Sequence, residues 1–121
     1  MSSTPPGDGW EDALPQAARE ALAALLDPAE KVELVAPAVG SSLVLTQHRL
    51  FVVRDGASFR PKTGVRTFEL RTGLAIRIGP ARKRVIIESA AGSINLFLRS
   101  EQLAHAEGFV AEVRRRIYAN G

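Results

Sequence analysis

Cysteine is absent from the 121-residue chain, and histidine occurs only twice, as His48 and His105. Without cysteine there is no disulfide framework and no thiolate metal site, and the composition fits a reducing compartment. Two separated histidines, neither beside a carboxylate in the sequence, make a poor metal site. They also form no recognisable histidine–serine–acid arrangement, which needs base and nucleophile in contact. Glycines at 56, 64, 73, 79 and 92 are spaced as hairpin connections, and no phosphate-binding loop is present. Apolar runs stop at six residues, against the roughly 20 that span a bilayer. The first ten residues lack the basic and apolar regions of a secretion signal. These absences point to a soluble, cytoplasmic, non-enzymatic protein with no cofactor.

What remains is an ordinary globular composition, 45% hydrophobic and 24% charged. A chain of this length forms one domain and buries about two-thirds of its unfolded surface. The expected organisation is a flexible arm over residues 1–11, rich in proline and glycine, followed by a single domain over 12–121. Trp10, at the edge of that arm, is expected to pack back on the domain rather than bind a ligand.

The stretch Leu43–Gly56 is the most informative. It reads as two apolar strands joined by a polar turn at Thr46–Arg49 and closed by Asp55-Gly56. Upstream, Pro15 suits the first position of a helix, and Leu14, Ala18, Ala21, Leu22 and Leu25 form one stripe, ending at Asp27-Pro28. Strands are predicted at Lys31–Pro37, Gly40–Thr46, Arg49–Arg54, Arg66–Arg71, Leu74–Ile78, Arg84–Ser89 and Ser93–Arg99. Connections this short leave no room for crossover helices, so consecutive antiparallel pairing follows. The predicted fold is mainly β with α: a seven-stranded antiparallel barrel, with edges removed by closure. Leu50-Phe51-Val52-Val53 is apolar on both faces, so the N-terminal helix is expected to cover the outer one. After Ser100, the expected N-cap, Leu103, Ala106, Val110, Val113 and Ile117 define a core-facing helix that caps the barrel.

Seven meandering strands followed by one C-terminal helix resemble the layout of pleckstrin-homology-like domains, in particular their bacterial, GRAM-related branch. The residues that carry the likeness are Leu43-Val44-Leu45-Thr46 and Arg49-Leu50-Phe51-Val52-Val53, with Asp27 to Leu34 resembling the segment that leads into the first strand. Members that bind phosphoinositides use Lys and Arg between the first two strands. Here Pro37–Gly40 holds no basic residue, so that site is not carried over. The resemblance implies a scaffold for interactions, and fold alone does not give function.

Charge is segregated along the chain. Residues 1–53 carry a net of −4, residues 54–84 a net of +7, and residues 85–121 balance. Arg60, Lys62 and Arg66 lie on or beside the long third loop, while Arg77, Arg82, Lys83 and Arg84 surround Gly79-Pro80. Alternate loops of a meander share an end, so these seven form the candidate anion- or partner-binding surface. Arg114, Arg115 and Arg116 are explained by the helix dipole. The expected partner is a protein, either another copy or an acidic segment. The alternative is peripheral binding to anionic membrane, at the inner membrane surface. Nucleic acid is disfavoured because aromatic platforms for bases are missing.

Overall fold

The computed structural model describes residues 14–56 and 64–120. The expected arm with Trp10, and the candidates Arg60 and Lys62, lie outside the described residues. The chain runs α1 (Gln16–Ala23), β1 (Val32–Ala38), β2 (Ser41–Thr46), β3 (Arg49–Arg54), β4 (Val65–Glu69), β5 (Ala75–Ile78), β6 (Arg84–Ser89), β7 (Gly92–Phe97) and α2 (Leu103–Asn120). The helix predicted to run on to Asp27 is shorter than its stripe. It ends at Ala23, with Leu25 and Leu26 N–H groups still bonded to the Leu22 carbonyl.

The strands do pair consecutively and antiparallel, but the expected closed barrel does not form. They make a four-stranded sheet, β1-β2-β3-β4, and a separate three-stranded sheet, β5-β6-β7. Between β4 and β5 the chain turns sharply through Leu70–Leu74, with Arg71 N–H bonded to the Glu69 carbonyl and Leu74 N–H to that of Arg71. That local bonding replaces a ladder between the two strands. At the opposite corner a main-chain bond from Val39 N–H to the Phe97 carbonyl, 2.9 Å long, links the sheets. In place of closure, α2 lies against both β1 and β5, one outer strand of each sheet.

Two apolar clusters result. The first sits between the sheets and under α2, and includes Leu43, Leu45, Leu50, Val52, Val85, Ile87, Ala106, Phe109, Val110 and Val113. The second lies on the other side of the four-stranded sheet, where Leu14, Ala18, Ala21 and Leu22 cover Val44, Phe51, Val53 and Val65. Strand β2 is therefore buried along its whole length. Among the described residues no helix covers the outer face of the three-stranded sheet, which carries Arg77, Arg84, Asn95 and the 60% exposed Phe97 around a buried Ile86.

The start of α2 departs from expectation. Ser100 makes no side-chain cap. A 3-10 turn, Ser100–Gln102, precedes the helix, and the Gln102 side-chain oxygen accepts from Arg99 N–H at 2.8 Å. Val110 on α2 is 5% exposed within the inter-sheet cluster. Val110→Ala should lower stability by about 1–3 kcal/mol through lost burial and the cavity left behind. Urea denaturation measures it, and a change within about 0.5 kcal/mol would show that this face does not pack against a core.

Candidate interaction surfaces

Thr46 and Arg49, the polar residues of the predicted hairpin, serve packing. The Thr46 hydroxyl accepts from the N–H groups of His48 (3.2 Å) and Arg49 (3.0 Å), which fixes the tight turn. It donates to Glu30 at 2.6 Å. Glu30 is fully buried at the side chain and forms a two-pronged ion pair with the Arg49 guanidinium, which also donates to the Leu25 carbonyl at 3.0 Å. Arg49 lies over the Phe51 ring, 4.8 Å from its centroid. Burial pushes the Glu30 carboxyl up, but bonds from Arg49, Thr46 and the Asp27 N–H outweigh it and hold the group down at about 2. Among the described residues no buried side-chain polar atom lacks a partner, and this cluster locks the segment after α1 to the hairpin.

A second polar tie joins α2 to the four-stranded sheet. Arg116 pairs with Glu33 on β1 and Glu112 on its own helix, and donates to the Thr46 carbonyl. Glu112 is held at about 2 by bonds from Arg115 and Arg116. These arginines therefore hold specific carboxylates, beyond any interaction with the helix end. Both histidines are exposed, and among the described residues no cluster of His, Cys, Asp or Glu suits a metal.

The predicted basic set is divided by the structure. Arg77 on β5 pairs across the ladder with Glu88, and Arg82 in the β5–β6 turn pairs with Glu107 of α2. Arg66 on β4, with Lys83 and Arg84 at the start of β6, has no carboxylate within 4.0 Å among the described residues. Outside that set, Arg19, Lys31, Arg54, Arg99 and Arg114 equally have no carboxylate within 4.0 Å among the described residues. Arg54 was visible as the first residue of the +7 segment; the turn chemistry around Arg99 gave no sign of its placement.

Two grooves accompany these charges. One, about 460 Å³, runs between β7 and the end of the four-stranded sheet, and Arg54 and Arg66 line it opposite Ser93 and Asn95. The other, about 440 Å³, lies between β5 and the end of α2. Its floor is Leu74, Ile76 and Ile117, and its rim holds Arg114 and the 84% exposed Tyr118. β5 is hydrogen-bonded to a strand on one side only, and its residues Ala75, Ile76 and Arg77 line this groove.

No protein-family model matches this sequence, and no curated protein and no solved structure is significantly similar to it. No helix among the described residues is long and apolar enough to cross a membrane.

Proposed function

We propose that this chain is a pleckstrin-homology-like, non-enzymatic interaction domain that docks an extended segment of a partner protein between β5 and α2. Four strands, then three, then a C-terminal helix support the family reading. The single observation that carries the function is that β5, paired on one side only, lines an apolar groove. A strand edge offers main-chain hydrogen bonds to any extended peptide, and adjoining pockets select its side chains. Leu74, Ile76 and Ile117 accept an apolar side chain. Arg114, which has no carboxylate partner among the described residues, complements an acidic group on the same segment.

The test is selection from a displayed library of random peptides, followed by titration of the enriched sequences. Enriched peptides should carry an apolar residue near an acidic one and shift the amide resonances of Leu74–Arg77 and Arg114–Tyr118. Arg114→Glu should weaken them about tenfold. Enrichment of nothing, or binding indifferent to Arg114→Glu, rejects the groove. Concentration-dependent mass by light scattering, lost in Tyr118→Ala, would reassign it to self-association.

A further inference from the structure

We infer that the corner where the two sheets meet is a contact surface for an anionic lipid bilayer. It shares no residue with the β5–α2 groove. Its apolar part is Phe97, 60% exposed, and Val39, 44% exposed. The Val39 N–H bond to the Phe97 carbonyl holds these two residues together at the corner. Two large apolar groups so exposed, on the β1–β2 turn and the end of β7, are poorly placed in water but suited to the boundary of headgroups and acyl chains.

Cations surround them. Arg84 is the cross-strand partner of Phe97 and so lies on the same sheet face. Lys83 is fixed beside it, its carbonyl accepting Leu98 N–H at 2.8 Å. Arg54 and Arg66 line the groove that Val39 and Phe97 also line, and Arg99 follows β7 by two residues. None of these five has a carboxylate within 4.0 Å among the described residues. Arg71, Arg77, Arg82, Arg115 and Arg116 are paired, whereas Arg19, Lys31 and Arg114, like these five, have no carboxylate within 4.0 Å among the described residues. Asp55 and Glu101 lie close in sequence to the surface but neutralise none of its cations.

The turn that presents Lys83 is held under strain. Ala81 and Arg82 both adopt left-handed backbone, φ 62° and 56°, which non-glycine residues rarely do. A Cβ at Gly79 would lie 2.9 Å from the Arg84 and Ile86 side chains, so any larger residue there would have to push them aside. The Arg82–Glu107 ion pair anchors the turn to α2. The anchoring spends one cation on position and leaves its neighbour free.

Unpaired cations arranged around an apolar pair match a flat, multiply anionic surface in which a hydrophobic side chain can be buried. A single acidic peptide would engage the charges without needing Phe97. The test is co-sedimentation of the whole chain with vesicles of phosphatidylcholine, with and without phosphatidylglycerol. Binding should require phosphatidylglycerol and fall steeply as salt rises to physiological strength. Neutralising Lys83 and Arg84 to Gln should weaken it about fivefold per charge, and Phe97→Ala about tenfold. Arg114→Gln with Tyr118→Ala, away from the corner, should leave it unchanged. Thermal melts of each variant, expected to match the parent, separate lost binding from lost fold. The inference is overturned if neutral vesicles bind equally, if Phe97→Ala binds like the parent, or if the distant pair loses binding as much. It is also overturned if polyglutamate binds more tightly than the anionic vesicles, which would assign the surface to an acidic protein.

Discussion

Replacing Glu30 with Ala should lower the unfolding free energy by about 3–5 kcal/mol, the penalty for leaving one member of a buried ion pair without its partner. The effect is large because one carboxylate satisfies several groups. Removing it leaves the Arg49 guanidinium against the Phe51 ring with the Leu25 carbonyl and the exposed Asp27 carboxylate 4.0 Å away, and leaves the Thr46 hydroxyl only the longer bond to the Arg49 carbonyl at 3.3 Å. Glu30→Gln, which keeps the shape and one acceptor, should lose less. Urea denaturation decides; a loss under about 1 kcal/mol for Glu30→Ala would mean that solvent replaces the pair. The same group predicts an acid limb. Its folded value of about 2 lies below its ordinary 4.5. The stabilisation is therefore fully present above 4.5 and is lost as pH falls through 4.5 toward 2. Glu30→Gln should flatten that part of the stability curve, leaving a smaller slope from the more exposed Glu112.

Phe51→Ala should be comparably damaging, by about 3–5 kcal/mol, but through a different cause. Phe51 is fully buried on the outer face of the four-stranded sheet, beneath Ala18, Ala21 and Leu22 of α1. α1 has only eight residues and depends on this contact, since a helix so short is not stable alone in water. Truncation thus removes the ring, the surface that supports α1, and the stacking partner of Arg49 together. Leu22→Ala should cost about 2–5 kcal/mol, and the double variant should lose less than the sum, because both empty one contact. Additive losses would show that α1 and β3 are energetically independent. The helix is also expected to lose amide protection well before β2 and β3.

The elements were legible because periodicity reports burial directly. Leu50-Phe51-Val52-Val53, apolar at every position, announced a strand covered on both faces, and Leu14 to Leu22 announced what covers it. Closure was not legible. Strand count and short connections are satisfied equally by a barrel and by two sheets, and the deciding facts are the tight turn at Leu70–Leu74 and the placement of α2 against β1 and β5. The basic set was half legible. Net charge located Arg66, Lys83 and Arg84, but Glu88 and Glu107, which neutralise Arg77 and Arg82, stand 11 and 25 positions away and reach them only through the ladder and the helix. Glu30 carried no signal for the same reason: its partners stand 16 and 19 positions on.

The two cores also differ in when they can be completed as the chain leaves the ribosome. All of the outer cluster lies between Leu14 and Val65, so α1 can close over the first sheet before β5 has been translated. The inter-sheet cluster extends to Val113 and stays open until most of α2 has emerged. For that interval Leu43, Leu45, Leu50 and Val52 face solvent on a sheet already sealed behind, a surface for a chaperone to shield. The last helix is therefore the step that commits nascent chains to the folded state, and premature termination within α2 leaves a half-finished sheet prone to aggregate.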